Sequence, residues 1–314
     1  MKPINNTLRN IRSKILIGTS SFAEVDYTPM ERLKASGYAV VDNPFRRKLS
    51  KEELLDLLGD DVIGIIAGLE TLDREVMEKS RIRAISRVGA GLSNVDLGAA
   101  RDLGIPVFNT PDAPTHAVAE LTIGAMLSLL RMIPRMDRAL HDGQWQKKIG
   151  SQLQGKTVVI VGFGRIGRRV AALLSPFDVK ILVVDPFVDE SVCAGFRQAT
   201  ILESLPEADI ITIHSSGQDC IIGEKEFSCM KKGAYLLNVA RGGVVSEQSL
   251  IRAIEDKTLA GAWLDTFEEE PYKGPLCGYP NVILTPHVGS YTAECRLRME
   301  SEAVEHLLNA LRVA

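Results

Sequence analysis

The sequence predicts an α/β protein with two parallel-sheet domains. Three observations carry that expectation: short apolar runs alternate with amphipathic stretches from Lys14 onward, one long helical pattern interrupts the alternation, and the apolar runs are continuous. Strands covered by helices on both faces read this way, because side chains on either face must be apolar. A chain of 314 residues, 45% hydrophobic and 25% charged, is long enough to supply two sizeable cores.

The first alternation runs KILIGT, TPMERLKAS, YAVVD, SKEELLDLL, VIGIIAG, LDREVMEK and IRAISRVG, and closes near IPVFNTP, where Pro106, Pro111 and Pro114 punctuate the exit. Val118, Leu121, Ala125, Leu129 and Met132 then recur near helical spacing. That predicts one helix over roughly Thr115 to His141, N-capped by Thr115 and kinked at its far end by Pro134. A second alternation follows as TVVIVGFG, KILVVD, DIITIH, YLLNVA, LAGAWLD and NVILTPH, and a last helix covers about Tyr291 to Leu311. Two sheets imply two domains with a cleft between them, and the last helix could return to the first.

Charge and composition exclude several classes. A net charge of −3 and a pI near 6.0 leave no basic footprint for nucleic acid. With no signal-peptide core and no apolar run of about 18 residues, neither export nor membrane insertion is expected. The five cysteines, at 193, 220, 229, 277 and 295, lack C-x-x-C spacing, so they read as reduced thiols of a cytoplasmic protein, with no metal site.

Gly162, Gly164 and Gly167 follow the β-branched run VVIV and open a helix whose Ile166, Val170 and Leu173/Leu174 would face the sheet. This is the setting of a dinucleotide turn. The first glycine permits the bend, the second lets backbone approach a pyrophosphate, the third allows close helix packing, and the helix N-terminus favours the phosphate charge. The same spacing also occurs in plain strand-helix connections and in methyltransferases. Asp185, 18 residues after Gly167 at the end of ILVVD, narrows the choice, since its carboxylate can accept from both ribose hydroxyls and would repel a 2′-phosphate. Pro186 and Phe187 bring no arginine to bind one, so NAD is favoured over NADP. Asp185 could otherwise be a solvated strand-end residue.

Later strands of such a Rossmann-like sheet end at the same edge, which places polar residues there for chemistry. Arg241 follows LLNVA and precedes Gly242-Gly243, His287 follows VILTP, and Glu270 closes an acidic run before Pro271. A guanidinium offers a planar fork for a carboxylate, and a histidine can carry a proton. Taken singly, they read as a surface ion-pair partner, a structural or exposed histidine and a solvated loop charge.

GFGRIGRRVA, NVARGGVV, LDTFEEEP and TPHVGS, in this order, resemble the signatures of the D-isomer-specific 2-hydroxyacid dehydrogenases, and SRVGAGLSNVDLGAARDLGIPVFNTP resembles the phosphoglycerate dehydrogenases among them, with no C-terminal regulatory domain visible. The resemblance spans roughly Arg81 to Ser290. It implies a catalytic arginine, acid and histidine at Arg241, Glu270 and His287. It implies cofactor contacts at Gly162, Gly164, Arg165, Ile166, Gly167, Asp185, Ser215, Val239, Ala240, Arg241, Asp265, His287 and Gly289, with Asp265 on the nicotinamide amide. It implies substrate contacts at Arg87, Gly89, Ala90, Gly91 and Arg241. The fold implied is two Rossmann-like domains, with an NAD-binding domain at 113–287 inserted into a discontinuous substrate domain, 1–112 and 288–314. The activity implied is NAD-dependent hydride transfer between a D-2-hydroxy acid and its 2-keto acid, phosphoglycerate-like acids among them, by a homodimer built partly on the helix after Thr115.

Some positions depart from the pattern. Ser93 and Ser246 stand where aspartates are usual, and the stretch HSSGQDCIIGEKEF after His214 is short and lacks a proline, which weakens Ser215 as a cofactor contact. Two other readings share the scaffold: a non-catalytic NAD-sensing binding protein, and a formate- or phosphite-type dehydrogenase. Arg46, Arg47 and Arg87 are the candidates for a phosphate site, and each also reads as ordinary surface charge.

Overall fold

The computed structural model describes residues 13–313 apart from positions 190, 194 and 218. Residues 1–12 and 314, at the ends of the expected domains, and Gln218 in the short stretch after His214 lie outside the described residues. The chain divides into two compact units, Met1–Pro114 with Thr292–Ala314, and Thr115–Tyr291. Ala113 and Pro114 group with the first unit, and Val288, Gly289, Ser290 and Tyr291 with the second, a few residues from the expected boundaries.

The first unit runs β1 (Lys14–Ile17), α1 (Thr28–Ala35), β2 (Ala39–Val41), α2 (Lys51–Leu58), β3 (Val62–Ala67), α3 (Arg74–Lys79), β4 (Ala84–Arg87), α4 (Leu97–Asp102) and β5 (Val107–Phe108). Its strands are parallel in the order β2-β1-β3-β4-β5. Helix starts follow local rules. Ser50 and Glu53 form a reciprocal capping box on α2, and Asp73 and Asp96 cap α3 and α4. Leu54 and Leu58 of α2 then pack with Leu16, Ile65 and Ile85 of the sheet.

The second unit takes in α5 (Pro114–Arg131, whose first residue belongs to the first unit), α6 (Ile133–His141), β6 (Thr157–Val161), α7 (Arg165–Leu174), β7 (Lys180–Val184), β8 (Arg197–Gln198), α8 (Ile201–Ser204), β9 (Ile210–Ile213), α9 (Glu224–Ser228), β10 (Ala234–Asn238), α10 (Glu247–Glu255), β11 (Leu259–Leu264) and β12 (Val282–Leu284). Its seven strands are parallel in the order β12-β11-β10-β9-β6-β7-β8. Both faces are covered: Val159 and Val161 of β6 join one core, Val158 and Ile160 the other. A fully buried side chain of this size contributes about 1.5–3 kcal/mol, which explains the uninterrupted apolar runs. The chain then returns to the first unit as α11 (Ala293–Val313), which packs on β3, β4 and α1. Gly64 of β3 makes room there, because a Cβ would lie 3.0 Å from Leu311 and 3.2 Å from Leu307.

The long helix expected over Thr115 to His141 is two helices, bent by 66°. The break comes at Met132, with φ 52° in the left-handed region, two residues before Pro134. Proline has no N–H for the carbonyl of Leu130 and its ring would clash with it, so that carbonyl accepts from Ser151 N instead, at 2.9 Å. Thr115 is not the cap: the helix starts at Pro114, and the Thr115 hydroxyl is buried without a hydrogen bond among the described residues. No single helix among the described residues is long and apolar enough to cross a membrane.

Candidate active site

In the second unit the glycine turn sits where strand order reverses, since β6 lies between β7 and β9 and its next neighbours in sequence and in space diverge. Gly162 has φ 91°, and a Cβ on it would come within 2.6 Å of Ser215 N and 2.7 Å of the His214 carbonyl carbon. A Cβ on Gly167 would run into the carbonyl oxygen of Gly162. Gly164 differs: it caps α7, is exposed, and a Cβ there would meet no protein atom within 4 Å. Two glycines are demanded by the fold, while the third leaves the approach to the helix N-terminus open, as a bound pyrophosphate requires. Arg165 and Ile166 form the first helical turn beside it.

Asp185, at the end of β7, accepts hydrogen bonds from Phe163 N of the turn (2.7 Å) and from Phe187 N (2.9 Å). A carboxylate has about four acceptor sites, so capacity for ribose hydroxyls remains. After β9, the His214 ring is held by a 2.9 Å contact between Nε2 and Thr212 Oγ1, and burial pushes its pKa down to about 3. His214 Nδ1 and Ser215 Oγ are buried with no hydrogen-bond partner among the described residues, at the wall that Gly162 touches. Open space at Gly164, orphaned polar atoms beside Gly162 and a half-used carboxylate at Asp185 fit a dinucleotide.

Beyond β10, the Asn238 side chain accepts from Ala240 N (3.1 Å) and donates to Arg241 O (2.8 Å), fixing the segment Val239-Ala240-Arg241. Gly242 follows because a Cβ there would collide with the Phe267 backbone. That close approach brings the Arg241 turn against the loop after β11, which carries Glu270. Glu270 Oε1 accepts from Phe267 N (3.0 Å), and Oε2 lies 2.9 Å from His287 Nδ1. Partial burial raises the carboxyl's pKa, but the His287 and Phe267 hydrogen bonds and the charges of His287 and Arg241 outweigh it, leaving Glu270 below the ordinary carboxylate range.

His287 itself has φ 54°, a left-handed conformation that costs a non-glycine residue about 1 kcal/mol or more. Asp265 holds the backbone on its far side. This carboxylate, 1% exposed, accepts from Val288 N (2.9 Å) and Thr285 Oγ1 (2.6 Å) at Oδ1 and from Gly289 N (2.8 Å) at Oδ2. Gly289 is packed so closely that a Cβ would lie 3.1 Å from Asp265, 3.3 Å from Val118 and 3.5 Å from Val239.

The remaining sequence-derived residues lie in the first unit, Arg87 as the last residue of β4 and Gly89, Ala90 and Gly91 just after it. Gly89 takes φ 125° and exchanges hydrogen bonds with Thr110, through Gly89 N to Thr110 Oγ1 (2.8 Å) and Thr110 N to Gly89 O (3.0 Å). Asn109 donates to Ala90 O at 2.7 Å. Sequence reasoning missed these two supports, although NTP stood in the quoted motif. It also missed Glu70, which is fully buried, accepts from Gly68 N (2.9 Å) and is raised by desolvation. Arg47 is forked on Glu53, and Arg46 lies 3.6 Å from Glu24, so both are engaged by surface carboxylates.

Residues 123–289 match the profile of the D-isomer specific 2-hydroxyacid dehydrogenase, NAD binding domain. The chain belongs to the D-isomer specific 2-hydroxyacid dehydrogenase family and carries its NAD-binding domain. It is 36% identical to the D-3-phosphoglycerate dehydrogenase of Rattus norvegicus over 312 residues, which is 96% of this chain but 57% of that protein, so it spans little more than half that relative's length. It is 37% identical to a glyoxylate reductase of Thermofilum pendens over 278 residues, 84% of this chain and 82% of that one. A crystal structure of D-lactate dehydrogenase from Aquifex aeolicus complexed with NAD and lactic acid superposes with a TM-score of 0.84 at 26% identity, covering 95% of this chain and 96% of the other.

Proposed function

We propose that this protein is an NAD-dependent oxidoreductase that transfers a hydride between the nicotinamide and a D-2-hydroxy acid/2-keto acid pair. The observation that carries the reading is the His287–Glu270 contact of 2.9 Å beside the Arg241 turn, on the strand ends that also bear the glycine turn. Glu270 occupies Nδ1 and fixes the ring tautomer, which leaves Nε2 for the substrate oxygen. In the oxidising direction neutral His287 takes the hydroxyl proton; in the reducing direction His287 returns it. Arg241 binds the substrate carboxylate and polarises the reacting C–O bond. The nicotinamide, when bound, accepts or supplies the hydride.

Phosphoglycerate-like acids and small unphosphorylated acids of the glyoxylate or lactate kind both fall within this substrate class, and turnover of each separates them. Cytoplasmic residence follows from the reduced-thiol reading of the cysteines. The homodimer is supported by an apolar surface after α5: no residue of α6 is buried, and Ile133, Leu140, Trp145 (79% exposed) and Ile149 (98% exposed) all face solvent. NADH-linked turnover across D- and L-2-hydroxy acids, their keto partners, formate and phosphite tests the reaction. Turnover of D-acids alone supports it; activity confined to formate or phosphite, or binding of NAD without any turnover, overturns it.

A further inference from the structure

Trp263 lies in β11 and is fully buried, and its indole Nε1 donates to Thr285 Oγ1 at 2.9 Å. The Thr285 hydroxyl is in turn 2.6 Å from Asp265 Oδ1. The direction of this chain is fixed by chemistry: indole N–H can only donate, so the threonine oxygen must accept from it, and its single proton goes to the carboxylate. Asp265 then has both oxygens committed, and the two backbone N–H groups it accepts from, Val288 and Gly289, immediately follow His287. On the other side, His287 N donates to Thr285 O at 2.9 Å. One threonine thus holds the catalytic-candidate loop twice, through its carbonyl and through its hydroxyl.

We propose that Thr285 is a positioning residue: its hydroxyl, oriented by the buried Trp263 indole, locks the Asp265 carboxylate in the rotamer that keeps His287 in its left-handed conformation with Nδ1 on Glu270. The proposal rests on His287 being the acid/base group. Without the Trp263 and Thr285 links, Asp265 keeps its charge but loses the contact that selects its orientation, and the unfavourable φ of His287 is no longer held from both ends. Misplacement of a reacting group by about 1 Å costs up to about 10²-fold in rate, so a small relaxation here is readable in turnover.

Thr285→Val keeps the shape of the side chain and removes the hydroxyl; Thr285→Ser keeps the hydroxyl; Trp263→Phe removes the donor and serves where Thr285→Val does not fold. We expect Thr285→Val to lower kcat about tenfold or more while the Kd for NADH stays within about threefold, and Thr285→Ser to recover most of the rate. Side-chain 15N spectra of His287 should show one tautomer in wild type and Thr285→Ser, and an averaged ring in Thr285→Val and Trp263→Phe. Unchanged kcat and an unchanged ring spectrum in Thr285→Val or Trp263→Phe overturn the positioning role. Should wild type turn over no 2-hydroxy or 2-keto acid, the catalytic reading fails, and the 15N comparison alone still decides whether Thr285 orders His287.

Discussion

Glu270 and His287 meet through Oε2 and Nδ1 at 2.9 Å, with the other Glu270 oxygen anchored on the Phe267 backbone. A carboxylate held at both oxygens has little freedom to leave the ring, so its removal should act on proton transfer and not on cofactor binding. Glu270→Ala is expected to lower kcat by about 10²-fold with NADH affinity little changed, and His287→Ala or Arg241→Ala to lower kcat/KM by about 10²–10⁴. Steady-state kinetics together with NADH fluorescence titration separate the two quantities; parallel loss of both in Glu270→Ala would mean that this carboxylate builds the fold and not the chemistry.

Gly164 and Gly167 are three residues apart and should respond oppositely to alanine. The Cβ of Gly164→Ala enters open space, so thermal stability is retained and NADH binding weakens by about tenfold or more as the methyl occupies the approach to the helix N-terminus. Gly167→Ala meets the Gly162 carbonyl and should lower Tm by several degrees, at a cost of about 1–3 kcal/mol. Melting curves and NADH titration of both variants check the contrast. Equal destabilisation by both substitutions would remove the argument for a dinucleotide at this turn.

Asp185 bonds the Phe163 and Phe187 N–H groups and faces no basic neighbour in its own strand-end segment. Replacing it with serine should raise the ratio of NADP-linked to NAD-linked kcat/KM by about tenfold or more, since the charge opposing a 2′-phosphate is gone. An unchanged ratio would place cofactor choice elsewhere.

His214 provides a pH signature. Its folded pKa is about 3, against about 6.5 for the unfolded chain, so below the unfolded value the unfolded state binds the extra proton and stability falls. The contribution is fully present above about pH 6.5 and is lost progressively as pH drops toward the folded value. Between pH 7.5 and 5.5 this amounts to roughly 1 kcal/mol, visible as a larger fall in urea midpoint for wild type than for His214→Asn. Identical pH dependence in the two proteins would acquit the histidine.

The strands, the glycine turn and the strand-end positions of Arg241, Glu270 and His287 were legible because each depends on local sequence: apolar run length, glycine spacing, a polar residue after a strand. What escaped depends on residues distant in the chain. Thr285 reads as the end of a strand and Trp263 as core, and nothing local tells that one orients the other. Asp265 was singled out for the nicotinamide side, yet its internal bonds to Thr285, Val288 and Gly289 are written only in the register of β11 and β12. The turn at Met132 escapes because Pro134 by itself predicts a kink at the far end of one helix, whereas the structure terminates that helix and begins another.

The return of α11 to the first sheet has a consequence for how the protein is made. Leu307, Val304 and Ala303 are fully buried in a helix that packs on β3 and β4, strands that left the ribosome long before it. The second unit is a continuous stretch, Thr115–Tyr291, and its core is complete once that stretch has emerged, but the first unit cannot close over Gly64 until the last helix is synthesised. Domains fold as units during synthesis, so the order of assembly is the reverse of the order of appearance: the sheet translated first is the one finished last.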